Sequence, residues 1–252
     1  MLFRSRPLAA VGSLVSGAVG VGDAVRTARL RGDVIRGLRS GAIDPEASSR
    51  DVERTTREEL AARGFTDGFV TGFFVPFFGG VFLERALDTA AAVFLFDFAM
   101  FSLGRACLPA GGMDAIPRQL AARLPEGVVR TGTLVRSVEP GRVTLDDGGT
   151  LSAREVVVAT DGPAAGRLLP DGFRGGLDHR RWKGTRLVAF AADRSPLASR
   201  TLVVNASAEG PIDNLTVPSD VSAGYAPPGK SLVTVSVRDG VTADDAVGGV
   251  QR

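Results

Sequence analysis

The chain has 252 residues, of which 44% are hydrophobic and 23% charged, and these proportions suit a globular protein with one large or two small domains. Its net charge is +2, and the lack of Lys/Arg clusters interleaved with aromatic residues argues against nucleic-acid binding. One cysteine, Cys107, excludes an internal disulfide, and one histidine, His179, excludes multi-histidine metal sites, so we expect no metal. Without a P-loop or a G-x-S-x-G elbow, the remaining chemistry is metal-free or carried by a cofactor.

Helical periodicity dominates the first hundred residues. Between Asp23 and Leu38, apolar residues recur at helical spacing, and Gly41 follows as a stop signal. Ser48 and Asp51 have the spacing of a capping box, which predicts a second helix that ends near Gly64.

A phenylalanine-rich segment follows, with seven phenylalanines between residues 65 and 82. Pro76, Gly79 and Gly80 are predicted to interrupt it. A further helix is predicted over residues 81–103, and because it is apolar on most faces we expect it to be buried.

The phenylalanines have two interpretations. An aromatic stripe is typical of a hydrophobic core, and it also suits the wall of a pocket for an apolar substrate. If such a pocket exists, we expect Phe73, Phe74 and Phe77 to form its wall, because they flank Pro76.

The next region alternates between helical and extended patterns. A glycine-rich turn at 108–113 leads into a helix with Pro117 in its first turn. A strand is predicted over 128–138, with a hairpin partner at 142–145. The apolar run 156–160 predicts a short strand covered on both faces, as in a parallel sheet.

Strand patterns dominate the remainder of the chain. From about Gly162 onward the sequence is punctuated by proline and glycine, and strands are predicted at 185–191, 201–204 and 231–237. Cys107 is expected to be buried and inert, and His179 lies in a polar run that we expect at the surface.

Three sequence blocks carry a family resemblance. They are F-x-x-P-F-F-G-G-V-F-L-E, then L-P-A-G-G-M-x-A-I-P-x-Q-L-A, then V-V-V-A-T-D-G-P. In this order they resemble the flavin-containing (FAD-dependent) amine oxidase family, closest to its phytoene desaturase-like and protoporphyrinogen oxidase-like branch. The resemblance extends over about residues 7–240 and is strongest over 73–163.

The resemblance implies a fold and a division into domains. The fold class is α/β, in the mixed α+β sense, with a partial Rossmann-like FAD/NAD(P)-binding domain and a substrate domain of helices and a mixed sheet. Residues 1–108 would form the helical part of the substrate domain, and 109–168 a returning segment of the FAD-binding domain. Residues 169–252 would form the substrate-domain sheet.

The resemblance also implies cofactor-binding residues. Gly111 and Gly112 would allow close backbone approach to FAD, although a turn with positive φ angles explains them equally. Val135 matches a position where the family's main chain contacts the adenine, and it is otherwise an ordinary core valine. Thr160 and Asp161 end the predicted strand near the cofactor, or form a polar turn that caps the next helix. No catalytic acid or base is assigned, because the flavin takes the hydride.

One departure limits what the resemblance implies. Family members begin with a strand–G-x-G-x-x-G–helix unit that holds the pyrophosphate, and this sequence contains no such motif. We therefore expect a truncated form that binds FAD weakly or not at all. The expected function is FAD-dependent oxidation of an apolar or amine substrate in the cytoplasm. The alternatives are a non-catalytic remnant that acts as an apolar-ligand-binding or interaction module, and a protein in peripheral contact with a membrane.

Overall fold

The computed structural model describes residues 20–43, 54–173, 182–205 and 210–237. Two compact units are present, one formed by Met1–Met113 with Lys183–Arg252 and the other by Asp114–Trp182. The helices are α1 (Val21–Ser40), α2 (Thr56–Ala62), α3 (Asp67–Phe69), α4 (Val75–Phe82), α5 (Ala91–Leu103), α6 (Ala115–Ala121), α7 (Gly162–Leu168) and α8 (Pro218–Val221). The strands are β1 (Val135–Glu139), β2 (Arg142–Leu145), β3 (Thr150–Ser152), β4 (Arg186–Ala192), β5 (Val203–Val204), β6 (Ile212–Thr216) and β7 (Ser231–Val237).

This mixture of helices and antiparallel sheets confirms the predicted mixed fold class. The domain boundaries near 108 and 168 stay predictions. None of the helices in the described ranges combines the length and the apolar character that crossing a bilayer requires.

The first two helices end at the glycines that the sequence predicts as helix ends. Helix α1 stops at Gly41, whose φ of 74° is easily reached without a side chain, and helix α2 ends just before Gly64 with φ 76°. Helix α2 begins with a capping box in which Thr55 and Glu58 each bond the other's backbone N–H. The predicted cap at Ser48 and Asp51 lies outside the described residues.

The phenylalanine-rich segment is continuously helical from Asp67 to Phe82, so the predicted interruption at Pro76, Gly79 and Gly80 is wrong. A π-helical turn, Val70–Phe74, joins α3 to α4, and the Val75 N–H donates to the Val70 carbonyl five residues earlier. Pro76 therefore lies in the first turn of α4, where a missing N–H is tolerated.

The predicted continuous helix over 81–103 is also wrong, because a turn separates α4 from α5. Leu83 has φ 54°, in the left-handed region, and ends α4. The Glu84 carboxylate then accepts hydrogen bonds from the N–H groups of Leu87 and Thr89 and from the Thr89 hydroxyl. Long-range backbone bonds hold the far side of this turn, from Thr56 N to Thr89 O and from Ala91 N to Arg54 O.

The helical part of the first unit has its own hydrophobic core. Helices α1, α2 and α5 enclose the phenylalanine-rich segment, and Phe74, Phe78, Phe94 and Phe98 are 0% exposed. Their rings meet edge-on or offset, with Phe78 and Phe94 centroids 4.9 Å apart. Cys107 is exposed, so the expectation that it is buried is wrong.

The same unit contains a four-stranded antiparallel sheet of order β4-β7-β6-β5. Strands β4 and β7 pair along their full lengths, with Val188 opposite Val235. Alternate residues of β7 (Val233, Val235 and Val237) are buried in the sheet's core. The predictions at 185–191 and 231–237 are confirmed, the one at 201–204 only in part, and β6 was not predicted.

The second unit contains a three-stranded antiparallel meander, β1-β2-β3. Gly141, at φ 75°, forms the turn between β1 and β2, which pair with Val138 opposite Val143. The strand predicted over 128–138 is confirmed only at its end. The apolar run 156–160 is not a strand, and Val157 is 87% exposed.

The missing strand at 156–160 has a physical reason. A strand forms by pairing, and the backbone N–H and C=O groups of residues 156–159 have no hydrogen-bond partner within the described ranges. The prediction of a buried parallel strand is therefore wrong for this structure.

Candidate functional site

A groove of about 510 Å³ in the second unit brings together two of the predicted cofactor-binding residues, Val135 and Thr160. Strands β1 and β2 form one side of it, the extended residues 156–160 another, and helix α7 a third. Its lining is mostly aliphatic and consists of Thr133, Leu134, Val135, Val138, Val143, Val156, Val157, Val158, Ala159, Thr160, Ala164, Arg167 and Leu168.

The polar features of this groove are few. Arg167, in the last turn of α7, is the one charged residue of the lining. The main chain of residues 156–159 adds N–H and C=O groups that no described residue satisfies. The groove can therefore offer a flat molecule aliphatic contact, main-chain hydrogen bonds and one positive charge.

Asp161 has a structural role beside the groove. Its carboxylate accepts a hydrogen bond from the Ala164 N–H at 2.8 Å and so caps helix α7, the second of the two roles that the sequence allows. The Thr160 hydroxyl donates to the Asp161 carbonyl at 3.2 Å. Asp161 is not part of the groove lining.

Trp182 is a neighbour of this helix that the sequence did not indicate. A Cβ atom on Gly162 would lie 1.8 Å from the Trp182 ring, so the indole covers the first turn of α7 only because residue 162 is glycine. The one available signal was that Trp182 is the only tryptophan of the chain. His179 lies outside the described residues.

Gly111 and Gly112 belong to the first unit and do not line the groove. Gly112 has φ 96°, and its N–H donates to the Pro109 carbonyl, so it forms a turn that requires glycine. The turn packs on Gly224, where a Cβ atom would lie 2.8 Å from the Ala110 carbonyl oxygen. Their cofactor role stays a prediction.

Of the three phenylalanines predicted to form a pocket wall, one is buried in the core and two are partly exposed. Phe74 is fully buried, and its ring contacts Phe65 and Phe94 among others. Phe73 and Phe77 are half-buried and stack on each other with centroids 6.0 Å apart. A substrate could reach Phe73 and Phe77 more readily than Phe74, and the pocket-wall role of all three stays a prediction.

Comparison with known proteins identifies a family. The sequence model described as flavin containing amine oxidoreductase matches residues 14–247, which is most of the chain. A search among curated proteins finds no match.

Solved structures share the fold. A protein from Pyrococcus furiosus superposes with a TM-score of 0.62 at 17% identity, over 85% of this chain and 56% of its own. An oxidoreductase from Methanosarcina mazei gives 0.67 at 15% identity, over 93% and 56%. Reduced UDP-galactopyranose mutase gives 0.57 at 14% identity, over 87% and 55%. The chain thus spans little more than half the length of these structures.

Proposed function

Because the chain belongs to the flavin containing amine oxidoreductases, we propose that it functions in an FAD-dependent oxidoreductase that oxidises an apolar or amine substrate. The family match over residues 14–247 carries this proposal. When bound, the flavin ring takes up the hydride that the substrate loses, and the protein binds and orients the two molecules. No side chain of this chain is assigned as an acid or base.

The groove of the second unit is the proposed contact surface for part of the cofactor. Its aliphatic walls suit the faces of an adenine ring, and the open main-chain groups of residues 156–159 suit its edge. Val135 would contribute through its main chain, as the family resemblance implies, and Thr160 lies at the same groove. Arg167 is suited to an anionic group such as a phosphate.

These residues are less well suited to binding the pyrophosphate of FAD than its adenine. A glycine-rich turn at the start of a long helix is the usual cradle, and α7 has only seven residues with its first turn capped by Asp161. We therefore propose that these residues hold the adenine end of FAD and that affinity for the whole cofactor is weak.

The substrate is proposed to meet the first unit near Phe73 and Phe77. Both rings are partly exposed beside the buried phenylalanine core, which supports contact with an apolar or amine-bearing molecule.

Flavin uptake tests the proposal directly. Purified protein is incubated with FAD, and binding is followed by flavin absorbance and fluorescence. Ala159→Trp fills the groove and should weaken binding, whereas Ala153→Trp adds the same ring at an exposed position outside the lining and should not. A wild-type protein that takes up no FAD, or equal binding by both variants, would contradict the proposed site.

A further inference from the structure

A second cavity, of about 390 Å³, lies in the first unit between the end of helix α4 and the four-stranded sheet. Its volume falls within the range of small-molecule sites, roughly 300–1,000 Å³. The polar lining comes from the α4–α5 turn, from strands β6 and β7 and from Thr185 just before β4, and no sequence pattern indicated it. Pro76, Leu83 and Val237 supply apolar surface beside these polar groups.

Helix α4 packs closely on the α4–α5 turn at Gly79 and contacts strand β6 at Gly80. A Cβ atom on Gly79 would lie 3.2 Å from the Glu84 carbonyl oxygen, and one on Gly80 would lie 3.4 Å from the Asn214 side-chain nitrogen. Leu83 turns the chain in the left-handed region, which is strained for a residue with a side chain. The wall is therefore fixed in place by backbone packing and by a strained residue.

The two carboxylates of the cavity already have partners. Both oxygens of Glu84 accept hydrogen bonds, from Leu87 on one side and from Thr89 on the other, and Lys183 lies 3.8 Å away. Burial alone would raise the pKa of Glu84, but the hydrogen bonds from Thr89 and the Asp88 backbone, together with the charge of Lys183, lower that pKa, so Glu84 is ionised at neutral pH. Asp213 accepts from Arg85 at 2.9 Å.

Two hydrogen-bond donors of the cavity retain free capacity. Arg85 uses one terminal nitrogen for Asp213, and its other guanidinium N–H groups have no partner among the described residues. The Asn214 side chain likewise has no hydrogen bond to any residue in the described ranges, although it is half-buried at the cavity. Since the negative charges are paired and a guanidinium face is open, the cavity offers donors more than acceptors.

We propose that this cavity binds a small molecule with a carboxylate on a compact apolar group. Arg85 and Asn214 donate hydrogen bonds to the carboxylate, and the apolar group packs against Pro76, Leu83 and Val237. The site lies wholly within the first unit, so the proposal is independent of flavin binding.

A pair of matched ligands tests whether the cavity prefers a negatively charged ligand. Phenylacetate and phenethylamine share a benzyl group and carry opposite charges, and each is titrated into the protein by calorimetry. We expect phenylacetate to bind and phenethylamine to bind at least about tenfold more weakly, since a charge-assisted hydrogen bond contributes roughly 1.5–3 kcal/mol. Equal binding, tighter binding of the amine, or no binding of phenylacetate would overturn the proposal.

Asn214→Asp locates the site. The change keeps the shape of the side chain, replaces a donor by a negative charge, and should weaken phenylacetate binding by at least about tenfold. Gln119→Glu adds the same charge at an exposed position in the other unit, away from the lining, and should leave binding unchanged. Equal loss in both variants, or none in either, would contradict the assignment.

Arg85→Lys provides a second variant in case Asn214→Asp disturbs strand β6. Lysine keeps the positive charge but cannot present the planar fork of N–H groups. Phenylacetate binding should weaken by a smaller factor than in Asn214→Asp, and a circular dichroism spectrum like that of the wild type checks the fold. Unchanged binding in Arg85→Lys would overturn the role given to the guanidinium.

Discussion

The helical part of the first unit and the Asp114–Trp182 unit differ in how far their apolar side chains are buried. The first buries four phenylalanines completely, and each ring has several aromatic neighbours. The second exposes most of its large apolar side chains. The exposed ones are Ile116, Leu120, Leu124, Val128, Val129, Leu134, Leu151, Val157, Phe173 and Trp182.

The two regions therefore differ in the source of their stability. A helix satisfies its own backbone, so the phenylalanine-rich segment needs only side-chain packing to be stable. An extended run such as 156–160 satisfies its backbone only by pairing with another strand. Hydrophobic sequence alone therefore does not make a core, and matched substitutions in the two regions can test that contrast.

Phe78→Ala should give the largest effect. Its ring lies 4.9 Å from Phe94 and 6.3 Å from Phe98, measured between centroids, and it is fully buried. Removing a buried phenylalanine ring costs about 3–5 kcal/mol of unfolding free energy, measured by urea denaturation. Phe173→Ala makes the same change at a position that is 61% exposed and should cost less than about 0.5 kcal/mol. Similar losses in the two variants would break the comparison.

Glu59→Gln should give the next largest effect, because Glu59 links charged side chains around the helical core. Its carboxylate accepts from Arg54 at 2.9 Å and from Arg63 at 2.7 Å. Burial would raise the pKa of Glu59, but the hydrogen bonds from Arg54 and Arg63 outweigh it and lower that pKa. Charged hydrogen bonds of this kind stabilise by about 2 kcal/mol, so the variant should lose about that much at pH 7.

The pH dependence of this loss has a definite sign. A carboxyl whose pKa is lower in the folded state stabilises the fold above its unfolded pKa, and that stability disappears as the pH falls through the folded value. Wild type and Glu59→Gln should thus converge in acid, below the ordinary range of a glutamate. Glu126→Gln, at an exposed position in the other unit, should match the wild type at every pH. A difference between wild type and Glu59→Gln that persists in acid would contradict the role of the charge.

Asp97→Asn should act in the opposite direction. Asp97 is half-buried within apolar α5, has no hydrogen bond or ion pair to any described residue, and burial raises its pKa. A desolvated charge without a partner costs stability, so the variant should gain about 1 kcal/mol at pH 7, seen as a higher Tm.

The gain should fade with acid, because a carboxyl whose folded pKa is raised costs stability in full above that folded pKa and none below its unfolded pKa. Asp88→Asn, in the exposed part of the α4–α5 turn, serves as the control with little change in Tm. A lower Tm for Asp97→Asn at pH 7 would show that Asp97 has a partner.

Val157→Ala should have the smallest effect. Val157 is 87% exposed, so the variant should change the unfolding free energy by less than about 0.5 kcal/mol. Its amide should exchange with deuterium almost as fast as in an unfolded peptide, whereas the paired Val235 amide in the centre of the sheet should be protected. Slow exchange at Val157 would reveal a strand partner and end the contrast between the two regions.

Local patterns predicted the elements that depend on neighbours in sequence. The sequence correctly predicted helix α1 from its apolar spacing, the helix ends at Gly41 and Gly64, the β1–β2 turn, and strands β4 and β7. The family resemblance singled out Val135 and Thr160, which lie at one groove, but no pattern in the sequence could show that they meet.

Long-range contacts decided the rest. The α4–α5 turn depends on Thr56 meeting Thr89, and the second cavity on Arg85 meeting Asp213, 128 positions later in the chain. Strand β6 was missed because its polar residues give no alternation, and its pairing with β7 holds it in the sheet. The run 156–160 has the sequence of a strand, but no residue in the described part of the chain pairs with it. Neighbouring residues thus suffice to predict which segments favour helix or strand and where glycine ends a helix, whereas strand pairing, burial and the α4–α5 turn depend on residues far apart in the chain and follow only from how the chain packs.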